Sequence, residues 1–380
     1  MKGLAIWAYS NCRSTLSFEL ELARLFDVPY KIFIVHKSDM PNRVKVGFKR
    51  DEIIDSSIVF IEDDLKKAIE EFKICKDWNH LFASYQKQDI FKSLINLAIE
   101  NKSVYAIISE APCNMEATMP RRTLKELYIN LLLPRIVSKY VRHADFIINL
   151  SGYYESALAK LGWKNNKIIS CGYYPPPIPD STLRKRTEDN WNNFTILLSG
   201  LHQWHRGSIV LLQALRILNE DGVKCQCYIT QDGPMMARLK QYADKHKLDN
   251  VHFLGYVPME KLISLYETCS VYVGAGCAEP WGMRLNDVLQ CGAPLIVSRG
   301  MGGAKLVDDH GCGLTFGKNN YKELADAIKT MIEDKSEYMR YSKNAYIAAQ
   351  SVTPALKAKE IGQVIKSQFG ENWKRCDKNI

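Results

Sequence analysis

The sequence predicts an α/β chain built from two Rossmann-like domains that face each other across a cleft. Short runs rich in β-branched and aromatic residues alternate with helical patterns in two separate blocks, and a proline-rich stretch resembling neither lies between them. Length agrees, because 380 residues exceed one ordinary core and suit two domains of roughly 150 to 200 residues each.

In the first block GLAIWAY, YKIFIVH, SSIVFIE, VYAIISE and DFIINLS read as buried strands, with STLSFELELARLF and DIFKSLINLAIE as helices between them. The opening MKGLAIWAYSN has one basic residue and no small-residue cleavage site, so it reads as the first strand and not as a leader. Residues 171–193, CGYYPPPIPDSTLRKRTEDNWNN, carry three consecutive prolines that neither a helix interior nor a central strand accepts. The charged run after them reads as turn and surface. The second block restarts at FTILLSG, passes through the helix SIVLLQALRIL, and adds CQCYIT, VHFLGYV, VYVGAG and APLIVS. The expected division is 1–172 for the first domain, 173–193 for the linker, 194–354 for the second domain and 355–380 for a C-terminal helix returning toward the first.

Composition is that of an ordinary globular chain, with 46% hydrophobic and 24% charged residues, which excludes disorder. The formal charge of +9 favours anionic partners without choosing among them. Eleven cysteines lie scattered, with only Cys225 and Cys227 close together; no CxxC or HExxH occurs, so neither a zinc site nor a disulfide framework is indicated and the expected compartment is reducing. Nowhere do eighteen apolar residues run together, so no membrane span is expected. No GxGxxG follows the first strand, where SNCRST stands, which argues against a nicotinamide-dependent dehydrogenase. No nucleic-acid-binding module is recognisable.

The chemistry concentrates in AEPWGMRLNDVLQCGAPLIV, residues 278–297. Glu279 falls in the loop after VYVGAG, and MRLNDVLQC has helical spacing, so Gly282 and Met283 mark a helix N-terminus whose amides suit an anion. Gly282 removes the side chain that would hold a ligand away. Asp287, further into the helix, can reach toward the same cleft. Two carboxylates flanking such an end suit the two sugars of a nucleotide-sugar, with its phosphates between them.

These residues, with SGLHQWHRGS at 199–208, TQDGP at 230–234, NVHFLGYVPMEKLISLY at 250–266 and RGMGGAKLVDDHGCGLTF at 299–316, resemble the E-x7-E region of retaining glycosyltransferases of family 4, which have the GT-B fold. The resemblance is specific over most of 194–350 and only one of pattern before it. It implies that Glu279 contacts the donor sugar, Asp287 the nucleotide ribose, and the backbone around Gly282, Met283 and Arg284 the distal phosphate. Trp281 lies within that motif, Gly200 ends the first strand of the second block, and Arg206 stands where the family has a basic residue against the diphosphate. Tyr256 and Val257 fall in the base-binding loop. Three departures stand out: the second acid is aspartate, Leu201 replaces a common arginine, and Ser109 and Glu110 stand where a histidine is frequent.

The implied function is transfer of a hexose, with retention, from a UDP- or GDP-sugar to a saccharide or lipid-linked acceptor in surface glycan assembly. The catalytic candidates are Glu279, Arg206 and Glu110, while Asn11, Arg13, His202, His205 and Asn114 are candidate phosphate or acceptor contacts. No DxD occurs, and neither a metal nor another cofactor is expected. The alternatives are a nucleotide-sugar 2-epimerase of the same fold and a catalytically weakened nucleotide- or sugar-binding subunit. The stretch PRRTLKELYINLLLPRIVSKYVRHAD sets Arg121, Arg122, Lys125, Arg135, Lys139 and Arg142 against Glu126 alone. It reads either as a membrane-docking basic helix or as a helix whose Leu131, Leu132 and Ile136 enter the core. The expected location is cytoplasmic, with docking on the inner face of the membrane under the first of these readings.

Overall fold

The computed structural model describes residues 1–36, 55–86, 89–116, 119–371 and 373. The chain forms two parallel sheets of Rossmann type. The first comprises β1 (Leu4–Ala8), β2 (Tyr30–Ile34), β3 (Ile58–Phe60), β4 (Asn79–Phe82), β5 (Tyr105–Ser109), β6 (Ile147–Asn149) and β7 (Ile168–Ser170), in the order β3-β2-β1-β4-β5-β6-β7. The second comprises β8 (Thr195–Ser199), β9 (Gln226–Thr230), β10 (Val251–Gly255), β11 (Val271–Gly274), β12 (Leu295–Ser298) and β13 (Gly313–Phe316), ordered β10-β9-β8-β11-β12-β13. In each sheet the strand order reverses beside the first strand, β1 or β8, so the loops after these strands open at switch points where ligands bind.

Local chemistry explains the elements. The LAIWA of β1 is buried at every residue, as a strand covered on both faces must be. Asp64 caps the helix Leu65–Ile74 by accepting from the amides of Lys66 and Lys67, and Asp89 caps Ile90–Glu100 through Phe91. Three strands lie outside the apolar runs read from sequence: β4, β7 and β13. β4 opens with Asn79 and His80, which are polar yet buried; His80 stacks on Phe72, with its Nδ1 taking the indole N–H of Trp7.

The stretch after the prolines differs from its expected surface character. Arg186 is buried, and its guanidinium donates to the carbonyls of Cys269, Tyr266, Arg184 and Cys291. Four carbonyl acceptors take the place of water around this cation, and they fasten this segment to the second sheet's layer. The last helix, Pro354–Phe369, starts at the Thr353 cap and packs on the helix Arg13–Arg24 of the first domain, with Gly362 against Leu25. Trp373 closes that junction beside Phe146 and donates to Asp145.

One apolar cluster runs from Leu4 and Ile148 under the first sheet, through Tyr174 and Ile178 of the connection, to Trp281 and Leu285 of the second. The two sheets therefore share a core next to the cleft. Glycines make the closest approach: a Cβ on Gly302 would strike the carbonyls of Pro280 and Ser151, and Gly152, at φ +54°, meets Gly302 in turn.

Candidate functional site

The loop after β8 ends in a single 3-10 turn, Trp204–Arg206, followed by Gly207 at φ +69°. A Cβ on Gly207 would collide with the carbonyl oxygen of Ala275, so glycine alone lets this turn seat against the end of β11. The Cys277 amide donates to the His205 carbonyl at 2.8 Å and locks the two loops together. Arg206 is thereby brought onto Glu279, and its Nη1 donates to the carboxylate.

Glu279 is held by backbone as well. Its amide donates to Gly300 at 3.1 Å, and its carbonyl accepts from Gly302 at 3.0 Å. Burial pushes its pKa above the usual carboxylate range, while Arg206 pulls it down. The result is a buried acid with one cation set against it.

Gly282, at φ +100°, turns the chain into the helix Arg284–Gln290, and a Cβ there would strike the Met301 methyl. The amides of Leu285, Asn286 and Asp287 are taken up by the carbonyls of Gly282 and Met283, so an anion at this helix end would meet the amides before them. Arg284 lies 3.7 Å from Asp287 and donates to the Tyr266 hydroxyl, which in turn lies 3.3 Å from Ser199 Oγ at the end of β8. Asp287 is thus connected by side chains to the switch-point strand. Gly200, just beyond it at φ +140°, borders open space. Tyr256 is exposed and Val257 half-buried after β10.

Some expected contacts occupy other positions. Trp281 is buried; its indole N–H donates to Asn286 and its ring covers Gly172, so the side chain packs the domain junction instead of lining the cleft. His202 is also buried, with Nδ1 at 2.8 Å from Ser208 Oγ and Nε2 at 2.9 Å from the Thr230 carbonyl. Both nitrogens are committed to holding the loop, which corrects its assignment as a phosphate contact. His205 is buried beside Arg206, and burial followed by that charge lowers its pKa to about 4, so it is neutral at physiological pH and brings no cation. Asn114 spends its amide on the Arg122 carbonyl and the Glu116 amide, within its own loop.

On the facing wall, Glu110 accepts from the Tyr173 hydroxyl at 2.9 Å and its carbonyl accepts from Gln86. Arg13 donates to the Pro176 carbonyl, tying the loop after β1 to the connection. Asn11 is buried, and neither atom of its amide has a protein partner. Sequence reasoning did not single out Trp204, Tyr154 or Tyr173. Trp204 donates to the Met115 carbonyl at 2.6 Å and Tyr154 to the Gly300 carbonyl at 2.8 Å, both across the cleft. Their only sequence signal was aromatic residues beside the glycine-bearing loops. Among the described residues, no group of three or more His, Cys, Asp or Glu side chains is arranged to hold a metal ion.

Residues 180–348 match the family model for glycosyl transferases group 1. Among curated proteins, the chain is 22% identical over 228 residues to a GDP-mannose-dependent alpha-(1-6)-phosphatidylinositol dimannoside mannosyltransferase of Mycobacterium tuberculosis, covering 58% of this chain and 57% of the relative. It is 26% identical over 234 residues to the D-rhamnosyltransferase WbpZ of Pseudomonas aeruginosa, covering 59% and 58%. The chain thus spans less than two thirds of either relative. Among solved structures, Anabaena Alr3699/HepE in complex with UDP superposes with a TM-score of 0.68 at 14% identity, over 96% of this chain and all of that one. The match to the glycosyl transferases group 1 model thus falls on the half of the chain that holds the second sheet, and the fold is GT-B.

Proposed function

We propose that this chain is a retaining glycosyltransferase that moves a hexose from a UDP- or GDP-sugar to a saccharide or lipid-linked saccharide acceptor in surface glycan assembly. The observation that carries the reading is the Arg206–Glu279 pair, set between the ends of β8 and β11 and next to the helix that bears Asp287. A mannosyltransferase and a rhamnosyltransferase among the relatives support sugar transfer, and UDP in the Anabaena protein supports a nucleotide in this cleft.

In this reading an incoming diphosphate draws the Arg206 guanidinium toward itself and frees Glu279 to accept hydrogen bonds from the donor sugar. Charge developing on the leaving diphosphate is met by Arg206 and by amides at the Gly282 turn, a stabilisation built in before the substrate arrives. Asp287, braced by Arg284 and Tyr266, holds the ribose. Glu110, oriented by Tyr173, faces the acceptor side as the group that positions its hydroxyl or takes its proton. The reading calls for no metal or other cofactor, and attack comes from the face the leaving group departs.

The place of action is the inner face of an anionic membrane. Supporting this, the helix Arg121–Leu127 and the π turn Tyr128–Leu132 contain no buried residue, and Leu124, Leu127, Leu131 and Leu132 are 49 to 62% exposed. Ile136 joins them, whereas Leu133, Val137 and Val141 face inward. The π turn takes about one extra residue and so swings Leu132 and Ile136 toward the outer side, among the arginines and lysines of the same stretch. No helix among the described residues is long and apolar enough to cross a membrane.

The test is a thermal-shift screen against UDP, GDP, ADP and CMP on the wild type, Glu279→Ala and Arg206→Ala. At a hundred times the dissociation constant a bound nucleotide adds about 2.7 kcal/mol. One nucleotide should stabilise the wild type, and Arg206→Ala should lose that shift. Absence of any shift would overturn the reading. Sugar products formed without acceptor would point instead to an epimerase.

A further inference from the structure

Two arginines on the second domain's wall of the cleft are already faced by acids before a ligand arrives. Arg206 faces Glu279, and Arg284 lies 3.7 Å from Asp287. A nucleoside diphosphate brings several negative charges into this low-dielectric space, and each needs a counter-charge to be held there. Leu201, next to the open end of β8, offers none. His202 and His205 are neutral at physiological pH, because burial lowers both. Arg13 is turned to the Pro176 carbonyl.

The first domain leans a loop over this same turn. Trp204, two residues before Arg206, donates its indole N–H to the Met115 carbonyl, and the Arg122 guanidinium stands 5.6 Å from the centre of that indole. The Asn114 amide fixes the Arg122 backbone through its carbonyl at 2.9 Å. The carboxylate of Glu126 is 3.6 Å away, one turn along the helix, a weak pair on a side chain that is 43% exposed. The charge of Arg122 is felt inside the cleft as well: the Cys277 thiol, two residues before Glu279, is pushed up by burial and pulled back by Lys318 and then Arg122.

We propose that Arg122 supplies, from across the cleft, the second cation of the diphosphate site, with the Trp204 indole as the face that keeps its guanidinium in reach. Arginine suits this role because its planar fork stacks on an aromatic ring and grips phosphate oxygens with its remaining N–H groups. A diphosphate held between Arg206 and Arg122 adds a contact between the two domains. The inference rests on the nucleotide-sugar reading above.

The test is calorimetric titration of the full chain with UDP and GDP, and in parallel with uridine and guanosine. Arg122→Ala should weaken whichever diphosphate binds by about ten- to a hundredfold, leave the matching nucleoside unchanged, and be partly rescued by Arg122→Lys. Adding Leu201→Arg to Arg122→Ala should restore diphosphate affinity, because the missing charge is then supplied from the end of β8. Unchanged diphosphate affinity in Arg122→Ala overturns the proposal, and so does equal weakening of diphosphate and nucleoside, which would make Arg122 a packing residue. Arg206→Ala separates the layers: if it loses diphosphate and Arg122→Ala does not, only the cross-cleft cation falls. If the wild type binds neither diphosphate, the nucleotide-sugar reading falls and this inference with it.

Discussion

Arg206 and Glu279, 73 positions apart in the chain, form an ion pair in which the acid is 9% exposed and the arginine 40%. The carboxylate therefore depends on the cation more than the cation depends on it. Arg206→Ala leaves a buried acid without its cation and should cost about 1 to 2 kcal/mol, discounted because solvent reaches the arginine. Adding Glu279→Gln should recover most of that loss in urea unfolding without recovering nucleotide binding. If the double variant stays as unstable as the single one, the pair does not hold this part of the fold as described.

Gly207 makes the pair possible. Any side chain there meets the Ala275 carbonyl as well as a left-handed backbone, so Gly207→Ala should destabilise by more than about 2 kcal/mol and abolish the nucleotide shift. Gly222 is the comparison: it has a similar φ of +74° but open space around it, so Gly222→Ala should cost only about 1 kcal/mol and leave binding intact. Equal costs at the two positions would show that the carbonyl contact is not what fixes the turn.

The alternation of apolar runs and helices sufficed to read two α/β blocks, because strands covered on both faces must be apolar throughout. β4 escaped because Asn79 and His80 are polar by type, and their burial is explained by distant partners, the Trp373 carbonyl for Asn79 and Trp7 and Phe72 for His80. His202 was misassigned for a related reason. A histidine beside a glycine-rich loop resembles a ligand, but Thr230, which receives its Nε2, is 28 residues distant. The two readings of Leu131 and Leu132 could not be separated either, since helical periodicity assumes a regular turn and the π segment breaks it. Arg122 shows the general limit: its partner across the cleft is Trp204, and no spacing rule joins residues of two domains.

The exposed leucines carry a prediction of their own. The wild type should float with vesicles containing phosphatidylglycerol and stay behind with pure phosphatidylcholine. Leu131→Asp with Leu132→Asp should abolish flotation without altering thermal stability, since neither residue is buried. Equal flotation with both vesicle types would point to insertion without charge, and none with either would remove the membrane from the proposal.

Glu19 predicts how the fold responds to pH. It lies in the helix Arg13–Arg24, is 1% exposed, and its Oε2 has no hydrogen-bond partner. Burial alone raises its pKa from 4.5 to about 8, and the buried Tyr173 hydroxyl is near enough to be pushed up by its charge. Between these two values the folded chain keeps a proton that the unfolded chain gives up. The folded state is favoured fully below about pH 4.5, and that advantage is lost as pH rises through about 8. Glu19→Gln mimics the protonated acid at every pH. It should match the wild type near pH 5 and exceed it by on the order of a few kcal/mol near pH 9, read as a growing gap between urea midpoints. A constant gap across that range would mean that the carboxyl is already ionised in the folded protein, with a counter-charge supplied to it.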